Sequence, residues 1–192
     1  MLTTRNGECK SAESRGSILL RNITRKDAKM TSMDELRMKL ELPPVSQIVV
    51  VVRDVDRVVE HYSSIFGLGP FTVYEFAPEK HWFMEEPSYA KFLMAKAMLG
   101  DIELCFMQPL EGESIHKEFL ETHGEGIFNL VFNVPNYDEM FDKFVKAGFK
   151  PLARAESYVE TYKGYLKACY FDTRSIGGIL IEIRWGSWLM ES

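Results

Sequence analysis

Apolar and polar residues alternate along the chain from residue 45 onward in blocks that predict strands and one-sided helices. Ser46–Val52 is a continuous β-branched run, which is typical of a buried strand. Asp54 and Asp56 then open a predicted helix over Val55–Phe66, whose apolar residues recur on one face until Gly67 ends it. Three further strands are predicted at Phe71–Phe76, Tyr89–Leu99 and Asp101–Met107.

The same plan starts again after a linker, residues 113–123, whose pattern predicts a helix at Ser114–Thr122. Asn136 caps a second one-sided helix, Tyr137–Ala147. Four strands are predicted around it, at Ile127–Val134, Lys150–Glu156, Leu166–Asp172 and Gly178–Arg184. The order β-α-β-β-β therefore occurs twice, and a repeat of this size decides the fold class. We predict an α+β fold in which two tandem βαβββ modules, about 45–108 and 125–186, form curved mixed sheets around a shared cleft.

The residues before this duplicated region differ in charge and composition. Residues 1–32 carry seven Lys or Arg against three acidic residues and lack apolar periodicity, which predicts a disordered tail. Residues 33–44 end at two prolines, which predicts a short helix or arm before a domain spanning 45–188. A basic, Ser-rich start is also typical of a mitochondrial transit peptide. Glu8, Glu13 and Asp27 argue against that reading, so a cytoplasmic protein is expected.

Composition excludes several classes of function. The net charge of −5 argues against a nucleic-acid-binding surface. No apolar run approaches ~18 residues, so no membrane-spanning helix is predicted. Three widely separated cysteines argue against a disulfide scaffold and fit a reducing compartment. Neither Cys-x-x-Cys nor His-Glu-x-x-His occurs, so the common zinc motifs are absent from the sequence.

Three stretches of the chain resemble the vicinal oxygen chelate superfamily, which includes glyoxalases, bleomycin-resistance proteins, extradiol dioxygenases and methylmalonyl-CoA epimerase. They are Gln47–Gly69, Ile102–Val134 and Ser175–Ile183. The middle stretch is the most specific, because Pro-Leu, a short helix, His-Gly-x-Gly and a strand follow in the family's order. The chain most resembles methylmalonyl-CoA epimerase-like proteins. Since this fold serves several chemistries, function must be inferred from the site.

The resemblance implies a four-residue site on the inner face of the sheet. In this superfamily, two His and two Glu or Gln from the first and last strands of the modules hold a divalent metal. The matching positions here are Gln47, Glu103, Asn129 and Glu182. An isolated buried carboxylate is costly, so the two acids need a metal, a shared proton or a basic partner. The candidate basic partners are Lys96, Arg154, Lys167 and Arg184.

Amides occupy the two positions where the family has His. Amide oxygens are weaker ligands than imidazole for zinc, nickel or iron, so ring-cleaving Fe(II) dioxygenase chemistry is disfavoured. Two amide and two carboxylate oxygens suit Mg, Mn or Ca better. The alternative is a metal-free pocket, in which Gln47 and Asn129 bind substrate carbonyls and Glu103 or Glu182 is the base.

The resemblance also implies a reaction. The family stabilises an oxyanion beside a carbonyl, which predicts an isomerase or lyase that abstracts a proton from a 2-oxo, 2-hydroxy or acyl-thioester substrate. Glu182 is the expected base or metal ligand and Glu103 its partner, because burial and a nearby like charge raise a carboxyl pKa. The alternative function is metal-free sequestration of a small molecule, as in bleomycin-resistance proteins. Dimers are common in the superfamily, so a homodimer is expected.

Aromatic side chains predict a cleft that suits a hydrophobic ligand. The aromatic-rich loop Pro78–Pro87 is expected to overhang this cleft. The expected substrate-binding residues are Gln47, Asn129, His81, Trp82, Phe83, Phe106 and Phe128. The other three histidines, His61, His116 and His123, are expected on the surface or at helix ends.

Overall fold

The computed structural model describes residues 40–190, and their strands form one continuous ten-stranded mixed sheet. The strands are β1 (Gln47–Val51), β2 (Thr72–Phe76), β3 (Lys80–Phe83), β4 (Glu86–Ser88), β5 (Ala90–Leu99), β6 (Ile102–Gly112), β7 (Gly126–Asn133), β8 (Pro151–Val159), β9 (Gly164–Phe171) and β10 (Leu180–Gly186). The helices are α1 (Val55–Phe66), α2 (Ile115–His123) and α3 (Tyr137–Lys146), with 3₁₀ turns at Glu160–Tyr162 and Ser187–Met190.

The sheet consists of two related halves that meet at β1 and β7. Its order is β2-β5-β6-β1-β7-β10-β9-β8-β3-β4. In each half the last strand runs parallel to the first, β6 with β1 and β10 with β7, and the remaining neighbours are antiparallel. The predicted α+β class and the repeated βαβββ plan are confirmed. The two predicted sheets are one sheet, because β1 and β7 pair with each other.

The prediction of an irregular loop over Pro78–Pro87 is wrong. It contains the hairpin β3–β4, and β3 pairs with β8 at the far edge of the second half. Only residues 77–79 connect β2 to β3, although these strands stand almost at opposite ends of the sheet order. A link this short spans at most about 14 Å, so the sheet must curl until its two edges lie close together. This curl makes the concave face on which the site lies.

Helices α1 and α3 cover the outer face of the sheet. The side chain of Asp54 accepts a hydrogen bond from the backbone of Arg57 and caps α1, and Asn136 caps α3 in the same way. Apolar residues of α1 pack on Phe106, and Phe144 of α3 stacks on Phe171 at 4.3 Å between ring centroids. Helix α2 instead packs on inward-facing residues and closes one end of the concave face.

The segment before β1 has no helix in its described part. The predicted tail, 1–32, and the first residues of the predicted arm, 33–44, lie outside the described residues. Leu40 and Leu42 pack against the cluster between α3 and the sheet. Within residues 40–190, no helix is both long and apolar enough to cross a bilayer.

Candidate active site

The concave face holds a pocket of about 690 Å³, counting the part that is open to solvent. Most of its wall is apolar or aromatic, with Tyr74, Phe76, Phe92, Met94 and Met107 among the lining residues. The polar lining residues are Gln47, His81, Lys96, His116, Tyr162, Tyr170, Glu182 and Arg184. Strand alternation explains the members that lie on strands, since every second residue of a strand points into the concave face. His116 reaches the pocket from α2 and Tyr162 from the 3₁₀ turn after β8.

Glu103 and Lys96 form an ion pair at one end of the pocket. The Lys96 ammonium lies 3.2 Å from Oε1 of Glu103. The side-chain amide of Gln47 donates a hydrogen bond to the same oxygen. The hydroxyl of Tyr162 lies 3.3 Å from the ammonium and 3.5 Å from Oε2 of Glu103. The pair therefore has hydrogen-bonding neighbours from both halves of the sheet.

Lys96 is charged although it is almost fully buried. Burial alone would lower the pKa of its ammonium. The carboxylate of Glu103, 3.2 Å away, opposes the effect of burial, and the pKa of Lys96 lies above its usual value. The pocket therefore keeps a permanent positive charge at this point.

Glu182 lies on β10 and is 4 % exposed. The amide nitrogen of Asn129 donates to its Oε2 at 2.8 Å, and the hydroxyl of Tyr170 also donates to this carboxyl. Burial raises the pKa of Glu182 above 4.5, although Arg184 and the two hydrogen bonds oppose the rise. This carboxyl therefore exchanges a proton nearer to neutral pH than an exposed glutamate does, which is the property of a general base.

Arg184 hydrogen-bonds to two side-chain amides near the acids. It stands two residues after Glu182 on β10 and so faces the same side of the sheet. Its Nε donates to Asn133 at 2.9 Å, and a terminal nitrogen donates to the side-chain oxygen of Gln47 at 3.3 Å. Two cations and two carboxyls therefore meet here, and the cluster carries one net positive charge whenever Glu182 is protonated.

The four predicted metal ligands do not offer their oxygens to a common cation. The oxygen of Gln47 accepts from Arg184, and Glu103 binds the ammonium of Lys96. Within residues 40–190, the Oδ1 of Asn129 is the one buried oxygen of these four side chains without a hydrogen-bond partner. No group of three or more His, Cys, Asp or Glu in the described part of the chain is placed to hold a metal. Two cationic side chains repel a divalent ion, so these residues do not fit Mg, Mn or Ca.

Two of the predicted substrate-binding aromatics lie on the wrong face of the sheet. Trp82 follows the pocket-lining His81, so strand alternation turns it outward, where Arg154 lies over its ring at 4.9 Å. Phe106 is also turned outward and packs under α1, with its ring 4.8 Å from that of Tyr62. The predictions for Trp82 and Phe106 are therefore wrong.

The other predicted residues lie in or beside the pocket. Gln47, His81 and Glu182 line it, and Asn129 reaches it through its hydrogen bond to Glu182. Phe83 and Phe128 pack in the apolar cluster beneath α2, next to the pocket. Glu103 lines an adjoining depression together with Lys96 and Tyr162.

Of the four candidate basic partners, two face the acids, namely Lys96 and Arg184. The other two do not, because Lys167 binds Asp138 and Arg154 covers the ring of Trp82.

Sequence reasoning missed most of the lining residues, among them Tyr162, Trp188 and His116. Tyr162 and Trp188 stack at 4.6 Å beside the Lys96–Glu103 pair. The indole of Trp188 lies across Gly164 and Gly186, where a Cβ would come within 2.8 Å of it.

His116 was expected at the surface but is 2 % exposed. Its spacing of four from Leu120, on the apolar side of α2, was the signal that could have placed it inside.

Comparison with known proteins identifies the class of this chain. A sequence profile of the Glyoxalase/Bleomycin resistance protein/Dioxygenase superfamily matches residues 46–170, and the chain belongs to that superfamily. No curated protein sequence matches it.

Solved structures show the same fold at low identity. Methylmalonyl-CoA epimerase from Mycobacterium tuberculosis has a TM-score of 0.50 and 19% identity, over 75% of this chain and 88% of that protein. A variant of the Streptomyces coelicolor methylmalonyl-CoA epimerase, in complex with 2-nitronate-propionyl-CoA, has a TM-score of 0.53 and 18% identity, over 76% and 99%. At this identity the likeness establishes the fold alone.

Proposed function

We propose that this protein is an isomerase or lyase that moves a proton on the carbon beside a carbonyl, without a metal ion. The observation that carries the proposal is Glu182, a buried carboxyl of raised pKa in a pocket that also presents Arg184 and Lys96. A base next to fixed positive charge is what enolate formation requires. The fold supports the proposal, because its structural neighbours include methylmalonyl-CoA epimerases.

The proposed step begins with the ionised carboxylate of Glu182. It takes the proton from the carbon, and the electron pair of the broken C–H bond moves onto the carbonyl oxygen to give an enolate. Arg184 and Lys96 stabilise this oxyanion, as preorganised charges do in a water-poor site. Delivery of a proton from a water molecule to the opposite face of the carbon inverts the centre, and the hydroxide left behind takes the proton held by Glu182. Loss of a leaving group from the neighbouring carbon would instead give a lyase.

The charges of the pocket indicate which substrates it selects. Lys96 and Arg184 favour a carboxylate or strongly polarised carbonyl, and the aromatic wall favours an apolar body. The proposed substrate is therefore a 2-oxo acid, a 2-hydroxy acid or an acyl thioester. The acyl thioester is included because one structural neighbour binds 2-nitronate-propionyl-CoA. The homodimer inferred from the resemblance stays a prediction.

A second function, small-molecule sequestration, is favoured by one feature of the site. The polar side chains of the pocket already bind one another, with Glu103 on Lys96 and Glu182 on Asn129. A pocket of satisfied polar groups and aromatic walls can bind a ligand without changing it. Binding without any chemical exchange would distinguish this function from the proposed one.

Deuterium exchange tests the proposed function directly. The protein is incubated in D₂O with 2-oxobutyrate, lactate, propionyl-CoA and methylmalonyl-CoA, and the signal of the proton beside the carbonyl is followed by NMR. We expect at least one compound to acquire deuterium at a rate proportional to protein concentration. Binding of these compounds with no exchange in any of them would contradict the proposed reaction and support sequestration.

The pH dependence of this exchange should follow Glu182. A base must be ionised, so the rate should fall as the pH drops through the pKa of Glu182, and the raised pKa places that midpoint above 4.5. The rate is measured from acidic to neutral pH for the wild type and Glu103→Gln. We expect both proteins to show an ascending limb, shifted to lower pH in Glu103→Gln because one nearby negative charge is removed and Lys96 loses its counter-ion. A wild-type midpoint at or below 4.5 would show that Glu182 is not the base. Loss of the ascending limb in Glu103→Gln would show that Glu103 is the base instead.

A further inference from the structure

His116 is a buried polar side chain that the proposed reaction does not use. It lies in the first turn of α2, is 2 % exposed and lines the pocket. Neither of its ring nitrogens has a hydrogen-bond partner within residues 40–190. Buried polar atoms without partners cost stability, and most proteins avoid them. An unpartnered imidazole facing a cavity therefore indicates a group that binds there.

The surroundings of His116 keep its ring neutral. Its ring lies 5.0 Å from Phe92, 4.6 Å from Phe128 and 5.1 Å from Tyr170, measured between centroids. Burial, with a smaller contribution from His81, lowers the pKa of His116 from 6.5 to about 3. The ring is therefore an uncharged hydrogen-bonding group with one donor and one acceptor nitrogen.

His116 stands at the opposite end of the pocket from the charged cluster. Its neighbour Phe92 and the charged Lys96 are four residues apart on β5, which corresponds to roughly 13 Å of strand. Tyr170 bridges part of this interval, because its ring makes a perpendicular contact with that of His116 and its hydroxyl binds Glu182. Apolar lining residues fill the rest.

We propose that the α2 end of the pocket is a subsite for a hydroxyl group of the ligand, with His116 as its hydrogen-bonding partner. The ligand is then an elongated molecule with an anionic end at Lys96 and Arg184, an apolar body about the length of a phenyl ring and a short chain, and a hydroxyl at the far end. A hydroxyl fits either nitrogen of the neutral ring, because it both donates and accepts. This deepens the proposed function, since it uses the same pocket, but it concerns binding and not turnover.

A homologous series of acids supplies the probes. Benzoate, phenylacetate and 3-phenylpropionate are each paired with the analogue that carries a para-hydroxyl, and the dissociation constants are measured by calorimetry. Three chain lengths are used to cover the distance between the two ends of the pocket. For at least one length, we expect the wild type to bind the hydroxylated acid about tenfold more tightly, the typical effect of one buried hydrogen bond.

The variant His116→Phe keeps a flat ring and removes both nitrogens. It should lose the preference for the hydroxyl while still binding the unsubstituted acid, because the charged end of the pocket is unchanged. It should also raise the Tm of the ligand-free protein by about 2–4 °C, since two unpartnered buried atoms disappear. His123→Phe is the matched control, because His123 is an exposed residue of the same helix. The control should keep both the preference and the Tm.

A measurement on the wild type makes the test independent of the variant's folding. The ¹⁵N resonances of the His116 ring should shift with the hydroxylated acid and not with its unsubstituted analogue. An equal preference in His116→Phe, no preference at any chain length, or no binding of any probe would each overturn the subsite. These results leave the deuterium exchange assay untouched, so failure of the subsite and failure of the proposed reaction are distinguishable.

Discussion

Replacing Glu182 by Gln is expected to lower the rate of deuterium exchange by about 10²–10⁴-fold, the usual contribution of a general base. The amide has nearly the same shape and can still accept hydrogen bonds from Asn129 and Tyr170, but it cannot take a proton. The variant should be at least as stable as the wild type at neutral pH. The raised pKa of Glu182 means that the folded state disfavours the ionised form, and this penalty grows as the pH rises above 4.5.

Glu156→Gln is the matched control for this experiment. Glu156 forms an exposed ion pair with Lys80, 3.0 Å away, and lies outside the pocket lining. The control should exchange deuterium as fast as the wild type and unfold at the same temperature. A Glu182→Gln protein that folds normally and exchanges at the wild-type rate would show that another group moves the proton.

Replacing Lys96 by Met should weaken both the fold and the binding of anions. The change leaves Glu103 without its counter-ion, and breaking a buried pair costs up to about 3–5 kcal/mol. Glu103 retains 20% side-chain exposure, so we expect a smaller loss of about 2–3 kcal/mol in the free energy of unfolding. Loss of a charged hydrogen bond should raise the dissociation constant of 3-phenylpropionate by about 30-fold.

A double variant separates these two effects. Lys96→Met with Glu103→Gln removes both charges, so it should recover most of the lost stability, as measured by urea unfolding. It should not recover the affinity for the anion, because the positive charge is still missing. Lys80→Met, which breaks an exposed ion pair, is the control for both measurements. Recovery of affinity in the double variant would show that Lys96 acts only through the fold.

The fold could be predicted because the same order of elements occurs twice in the sequence. The prediction failed at one place, the hairpin β3–β4. Each half has its own strand and helix signals, and the caps at Asp54 and Asn136 act as the sequence suggests. The hairpin β3–β4 was missed because its turn residues, Met84 and Glu85, both have positive φ although neither residue type signals such a turn. Its pairing with β8 is a long-range contact that no local pattern encodes.

Strand alternation explains most of what could be predicted at the site. It correctly turned Gln47 and Glu182 inward, and the same rule applied to β6 would have excluded Phe106, because Cys105 and Met107 face inward on either side of it. The rule fails at one place on β7. The pairing with β1 shifts there by one residue, so Phe128 and Asn129 are both buried although they are neighbours.

The sequence alone could not show that Lys96 and Arg184 are the basic residues that face the two acids. Both residues were candidates, but so were Arg154 and Lys167, and only the tertiary structure brings β5 and β10 to the same face of one pocket. The proposed reaction relies on these two cations for the positive charge at the enolate oxygen, which is consistent with amides at Gln47 and Asn129 in place of the family's His.

The exchange rate after removal of metal tests this account most directly. The protein is dialysed against EDTA, and its deuterium exchange is compared with that of untreated protein and of protein supplied with Mg, Mn, Zn or Ni. Because Lys96 and Arg184 provide the positive charge, we expect the rate to be the same in all three preparations. Loss of exchange after dialysis, restored by one of these metals, would contradict the account.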